Sequence, residues 1–277
     1  MTLWTGRGLI LADSSGVRVM GILNVTPDSF SDGGQSATLD DAIRTAERLV
    51  AEGADILDIG GESSRPGAEV VPVEEELARV IPVVEAIASR FSVPISIDTA
   101  KPEVARRALD AGAVIINDIR GLDDPELAEV VAGSQAAVVL MHMQGTPQTM
   151  QDDPHYDDVV REVVEDLERR VDRAEALGIA RERIAIDPGI GFGKTFEHNL
   201  ELLRNLEAFA RIGCALLVGT SRKGFLGQIT GRPRNDRAVA SAASALAAVA
   251  GGAGIVRVHD VGTTVDALRV WAAQRGV

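Results

Sequence analysis

Short apolar runs recur along the chain, and each ends in a polar or charged cluster. They are Met20–Asn24, Ile56–Glu62, Ile95–Asp98, Val114–Asn117, Val138–His142, Ile184–Asp187, Leu216–Lys223 and Ile255–His259. Each reads as a buried strand, and a segment of helical length and period follows each one. Ile43, Ala46, Leu49 and Val50 make one apolar stripe, and Leu77, Val80, Ile81, Val84 and Ile87 another. Val159, Val160, Val163, Val164, Leu167, Val171 and Ala174 make the longest, on a helix otherwise crowded with solvated charge. Gly53, Gly112 and Gly178 stand where helices close. Strand and helix alternate without a Gly/Ser/Pro-rich linker. That predicts an α/β fold, a single (β/α)8 barrel domain over residues 1–277, with its chemistry at the C-terminal ends of the strands. Ahead of it, Gly8–Ala12, a turn at Ser14–Gly16 and Val17 predict a short N-terminal hairpin that plugs the bottom of the barrel.

Strand alternation decides which side chains share a face. Arg257 and His259 lie on one face and Val258 on the other. Ser96 and Asp98 share a face while Ile97 packs outward against the helices. Asp58 shares the face of Ile56, inside the barrel wall, where a buried carboxylate needs a partner. It either supports a basic site residue or serves structure alone, and both readings stand.

Composition narrows the classes. With 45% hydrophobic and 3% aromatic residues, the core is built from Ala, Val, Ile and Leu. A net charge of −13 excludes a nucleic-acid partner, which demands a basic face. It does not exclude an anionic substrate. Arg222, Lys223, Arg257 and His259 stand together at strand ends, and distant charge is screened beyond about 8 Å. The lone Cys214 excludes an internal disulfide and a cysteine-rich zinc site, and reads as a buried inert thiol. Residues Met1–Leu11 lack the pattern of a signal peptide. The uncharged interval between Arg237 and Arg257 is broken by Gly251, Gly252 and Gly254, so it reads as a helix and a strand. A soluble, cytoplasmic protein without a membrane partner is expected.

Two glycine-rich loops, Asn24–Gly34 and Gly60–Gly67, open at the first and second strand ends and read as lids over a substrate. Gly189–Thr195 imitates a P-loop, but Pro188 stands where that pattern needs its first glycine, so nucleoside triphosphate hydrolysis is rejected. His142, His155, His198 and His259 are scattered, which argues against zinc. Mg2+ fits better, because it takes few protein ligands and shares phosphate oxygens with a substrate, and Asn24 offers an amide oxygen. Asp98, Asn117 and Asp187 end three strands at comparable depth and suit the edge of a heterocycle bearing amino, N–H and carbonyl groups. Glycoside hydrolysis would also use paired carboxylates, but one Tyr and two Trp are a poor supply of sugar platforms. Opposite these acids, Ser221–Lys223 and Arg257–His259 form a cationic half suited to an anionic group.

Asn24–Gly34, Gly61–Gly67, Ser96–Thr99, Asn117–Asp118, Asp187–Phe192, Ser221–Lys223 and Arg257–Asp260 together resemble the dihydropteroate synthase family of bacterial folate biosynthesis. The resemblance runs from about Met20 to the end of the chain, with the motifs in family order. It implies a transferase that joins 6-hydroxymethyl-7,8-dihydropterin pyrophosphate to p-aminobenzoate, giving 7,8-dihydropteroate and pyrophosphate with Mg2+. By motif, Asp98, Asn117, Asp187 and Lys223 would hold the pterin, with Arg257 stacking on it. Asn24 would bind the metal, and Ser64, Arg65, Arg257 and His259 the pyrophosphate. Phe30, Arg65, Pro66, Phe192, the Lys223 stem and Gly224 would frame the aminobenzoate. The catalytic set is then Arg257, His259, Lys223 and Asn24. The resemblance also implies sulfonamide sensitivity and a homodimer through outer helices. One position departs from the pattern: many members carry Ser after the Lys, where this chain has Gly224. The alternatives are a methyltransferase acting on methyltetrahydrofolate, which has no use for a pyrophosphate site, and a catalytically silent pterin-binding paralogue.

Overall fold

The computed structural model describes residues 2–26, 34–63 and 67–276. The chain opens with an antiparallel ribbon, β1 (Trp4–Gly6) and β2 (Leu9–Ala12). There follow β3 (Arg18–Asn24), α1 (Gly34–Ala51), β4 (Ile56–Gly60), α2 (Val73–Arg90), β5 (Ile95–Asp98) and α3 (Pro102–Asp110). The middle of the chain forms β6 (Ile115–Asp118), α4 (Pro125–Ser134), β7 (Ala137–Met141), α5 (Val159–Ala176), β8 (Ile184–Asp187) and α6 (Phe196–Arg204). The last part forms β9 (Ala215–Val218), α7 (Gly224–Thr230), α8 (Ala238–Ala250), β10 (Ile255–Val258) and α9 (Val261–Arg275). Among the described residues, the eight strands β3 to β10 are parallel and close into a barrel through the β10–β3 pair. Every apolar run of the sequence is one of its strands.

The helices form where their stripes and caps agree. On α5, Val159, Val163, Val164, Leu167, Val171 and Ala174 are buried, and the Asp158 carboxylate accepts from Arg161 N at 3.0 Å. Asp124 caps α4 in the same way, accepting from Glu126 N at 2.9 Å ahead of the first-turn Pro125. Gly53, Gly112 and Gly178 take the left-handed conformation expected of helix ends. The interval between Arg237 and Arg257 is α8 and β10, and among the described residues no helix is long and apolar enough to cross a membrane.

Two apolar layers follow from strand alternation. Outward side chains such as Leu57, Ile59, Ile97 and Ile116 pack under the helices, with Cys214 buried beside them. Inward ones, among them Met20, Ile56, Ile115, Val139, Leu217 and Ile255, fill the barrel together with Trp4, Leu11 and Ala12 of the ribbon. The ribbon does plug the barrel's N-terminal end, with Trp4 Nε1 donating to Arg183 O at 3.1 Å. Its turn, however, is not at Ser14–Gly16. It lies at Arg7–Gly8, with φ of 49° and 81°, the left-handed pair that a tight hairpin of right-handed twist requires. Ser14–Gly16 is a separate turn, in which Asp13 Oδ1 accepts from Ser15 N at 2.9 Å before the chain enters β3.

Candidate active site

Register brings the polar strand ends to one level. Asn24 lies opposite Gly60, Gly60 opposite Asp98, and Asp98 opposite Asn117. Gly60 adds no side chain to that ring, and a Cβ there would make only ordinary contact with Asp98, 3.5 Å from its Cβ. One layer deeper, Ile22, Asp58 and Ser96 are neighbours. Above them is a cavity of about 870 Å3, lined by Asn24, Asp98, Asn117, Asp187, Phe192, Lys223, Gly224, Arg257 and His259. Each of these was expected at the site from sequence, and the fold collects them all. Phe30, Ser64, Arg65 and Pro66 lie outside the described residues.

Charges within the cavity are not divided into acidic and cationic halves. Arg257 stands among the acids: its Nε donates to Asp58 Oδ2 at 2.6 Å and its Nη2 to Asp98 Oδ2 at 2.6 Å. Burial opposes the guanidinium's charge, but Asp58 and Asp98 outweigh it and raise its pKa. Asp58 is wholly buried and also accepts from Asn117 Nδ2 at 3.1 Å. Of the two roles open to it, bracing a basic site residue is the one its contacts support. Burial raises the Asp98 carboxyl, with Arg257 opposing. Burial likewise raises Asp187, against Lys223 and the Gly189 N–H that donates to its Oδ1 at 2.7 Å.

Two of the expected cations are corrected by their surroundings. His259 is neutral near pH 7, its pKa pressed down to about 3 by burial and then by Arg257 and Arg222. Ser221 Oγ accepts from His259 N at 3.1 Å and lies 3.0 Å from its Nδ1. The hydroxyl can donate to Nδ1 or accept from it, so this contact holds the ring in place in either tautomer. Arg222 keeps its charge but spends it on Asp260, with Nε 2.9 Å from Oδ2. Its φ of 58° is left-handed, a strained turn that lets Ser221 and Lys223 on either side both reach the cavity. Lys223 lies 4.7 Å over the Phe192 ring and donates to Ile190 O. Burial first, then Arg257, bring it down to about 8, against the pull of Asp187.

The remaining histidines are occupied structurally. His198 completes the capping box of Thr195 on α6, His155 faces Asp157 on the surface, and His142 contacts Lys194. Among the described residues no group of three His, Cys, Asp or Glu side chains can hold a metal. Lys194 of the P-loop-like segment turns inward onto His142 Nδ1 and Phe192 O and lines the cavity. Sequence reasoning overlooked the cavity's apolar lining, Ile22, Ile119 and Met141. The signal for Ile22 was present, because it stands two residues before Asn24 on the same face of β3, whereas Ile119 lies in the turn just past β6. Met141 carried no such mark, and nothing local distinguished Lys194 from a surface lysine.

A family model described as pterin binding enzyme matches residues 20–259. The chain is 54% identical over 258 residues to dihydropteroate synthase of Escherichia coli (strain K12), covering 93% of this chain and 92% of that protein. The structure of Xanthomonas albilineans dihydropteroate synthase with 4-aminobenzoic acid superposes with a TM-score of 0.91 at 51% identity, covering 97% of this chain and 96% of that one. That of Yersinia pestis dihydropteroate synthase with a sulfonamide drug complex does so with a TM-score of 0.93 at 48% identity, over the full length of both. With this agreement of sequence, fold and site, the chain belongs to the pterin-binding enzyme family.

Proposed function

We propose that this protein is a dihydropteroate synthase, a transferase that condenses 6-hydroxymethyl-7,8-dihydropterin pyrophosphate with p-aminobenzoate. The observation that carries the reading is the cavity itself, where Asp98, Asn117 and Asp187 converge with Lys223 and Arg257. In this reading the two carboxylates and the amide take the polar edge of the pterin, and Ile119 and Met141 offer apolar contact to its ring. Asp58 and Asp98 fix the Arg257 guanidinium, whose plane lies against the pterin. The bond from the pterin methylene to the pyrophosphate oxygen breaks first, because the electron-rich ring delocalises the resulting cation. Arg257 and His259 stabilise the charge that builds on the leaving oxygen. The aniline nitrogen then attacks this strong electrophile, and the acidic anilinium that results passes its proton to water or the departing pyrophosphate, so no strong general base is required. Phe192 and the Lys223 stem form the acceptor wall, and the family resemblance assigns Phe30, Arg65 and Pro66 to the aminobenzoate and Ser64 and Arg65 to the pyrophosphate. Gly224 offers a backbone N–H, not a hydroxyl, to the acceptor carboxylate.

Mg2+ fits this site as a companion of the substrate. A single neutral amide, Asn24, suffices for a cation that arrives with pyrophosphate oxygens around it. When bound there it neutralises charge on the leaving group. The enzyme is read as cytoplasmic, as one barrel domain, and as a homodimer. Incubation of the pure protein with both substrates and Mg2+ should release pyrophosphate and form dihydropteroate, with sulfamethoxazole competing against p-aminobenzoate. Pterin binding without pyrophosphate release would indicate a silent paralogue, and methyl transfer from methyltetrahydrofolate the other alternative.

A further inference from the structure

The segment that joins β8 to α6 has left-handed glycines at every second position, with φ of 66°, 82° and 58° at Gly189, Gly191 and Gly193. Such a chain has no regular pairing of its own, so its carbonyls must find donors elsewhere. Four successive carbonyls each find a different side chain. Lys223 donates to Ile190 O, Gln151 Nε2 to Gly191 O at 3.0 Å, Lys194 Nζ to Phe192 O at 2.9 Å, and Tyr156 OH to Gly193 O at 2.8 Å. Lys194 is only 3% exposed, and its Nζ also lies 2.9 Å from Nδ1 of the buried His142. Burial, then the neighbouring Lys194, press His142 down to about 2, so its ring is neutral. Burial brings Lys194 down to about 7, against the pull of Asp187, so below that pH it is an ammonium that donates to Nδ1 and leaves the ring hydrogen on Nε2. Lys194 is thus a two-pronged tie between the end of β7 and the backbone of Phe192, the residue whose ring lies under Lys223.

We infer that Lys194 is a positioning residue for the second substrate: tethered by His142, it fixes the Phe192 backbone and so the ring against which the arylamine is held. This rests on the reading that Phe192 frames p-aminobenzoate. The pterin edge contacts come from Asp98, Asn117 and Asp187; Lys194 is hydrogen-bonded to His142 and Phe192 instead, and its charge is the last and smallest of those acting on the Asp187 carboxyl.

The experiment is steady-state kinetics on the full-length enzyme, varying each substrate in turn, with thermal unfolding measured in parallel. Lys194→Met keeps the length of the side chain and removes its donor. It should raise KM for p-aminobenzoate about tenfold, the effect of one lost hydrogen bond, and leave KM for the pterin substrate within about twofold. His142→Leu should reproduce that split, and His142→Asn, which restores an acceptor near Nδ1, should largely rescue it. The histidine pair carries the test if Lys194→Met does not fold. Phe192→Ala reports on the underlying reading: an unchanged p-aminobenzoate KM in that variant refutes Phe192 as the wall. A raised KM in Phe192→Ala with an unchanged one in Lys194→Met, an equal rise for both substrates, or no difference between His142→Leu and His142→Asn would overturn the role of Lys194.

Discussion

Arg257 carries its charge into the barrel because Asp58 lies one layer beneath the site and meets its Nε at 2.6 Å. Asp58→Asn preserves volume and withdraws that charge. We expect kcat/KM for the pterin pyrophosphate to fall by ten- to a hundredfold, matching about 1.5–3 kcal/mol for a hydrogen bond to a charged group. Full kcat/KM in this variant would show that Asp98 alone orients the guanidinium. Lys223 gives a second expectation. Its pKa is lowered to about 8, so its charge is present below that pH and lost as pH rises through it. The pH profile of kcat/KM for the pyrophosphate substrate should therefore fall on an alkaline limb centred near pH 8. Lys223→Arg, whose guanidinium stays charged, should displace that limb beyond the measurable range. A limb unmoved in the arginine variant would assign it to another group.

At the scale of elements, the barrel separates stability from chemistry. Its N-terminal end is closed by β1 and β2, where Trp4 is fully buried and tied to Arg183 O. The site occupies the other end, at the tips of the strands. Trp4→Ala should cost about 3–5 kcal/mol in chemical denaturation, from lost burial and the void left behind. Both KM values should stay as in wild type, because no contact of Trp4 reaches the cavity. A changed KM for either substrate would mean that the plug transmits strain along the barrel. The short α7 follows β9 before the main helix α8, and its first residue is Gly224. Nothing lies within 4 Å of where a Cβ would stand there, so the missing hydroxyl is not a steric necessity.

For the whole molecule, the last helices expose apolar side chains that the barrel does not need. Ile229 on α7, Val239 on α8 and Val270 on α9 are 57%, 78% and 59% exposed. α8 carries no charged residue to keep that face wet. These side chains lie on the outer helices that the proposed homodimer would use. Sedimentation should show a dimer for the wild-type protein and a monomer for Val239→Glu with its catalytic activity retained. A wild-type monomer at micromolar concentration would remove the dimer from the account. The net charge of −13 favours solubility of either form without deciding between them.

The number and order of the barrel strands were legible in the chain because each apolar run is long enough for one buried strand and each is followed by a helical stripe. The polar residues at strand tips were legible for the same reason: topology alone sends Asn24, Asp98, Asn117, Asp187, Lys223 and Arg257 to one end. Local periodicity is set by neighbours in sequence, so sequence suffices to read it. The hairpin turn was misplaced because Ser14–Gly16 and Arg7–Gly8 both carry turn residues, and only pairing selects between them. Arg257 with Asp58 and Asp98, the neutral His259, and Lys194 with His142 were decided by tertiary structure. Such partners lie on different strands, and whether a charge is paired, neutralised or free depends on distance and burial. Those quantities exist only once the barrel has closed.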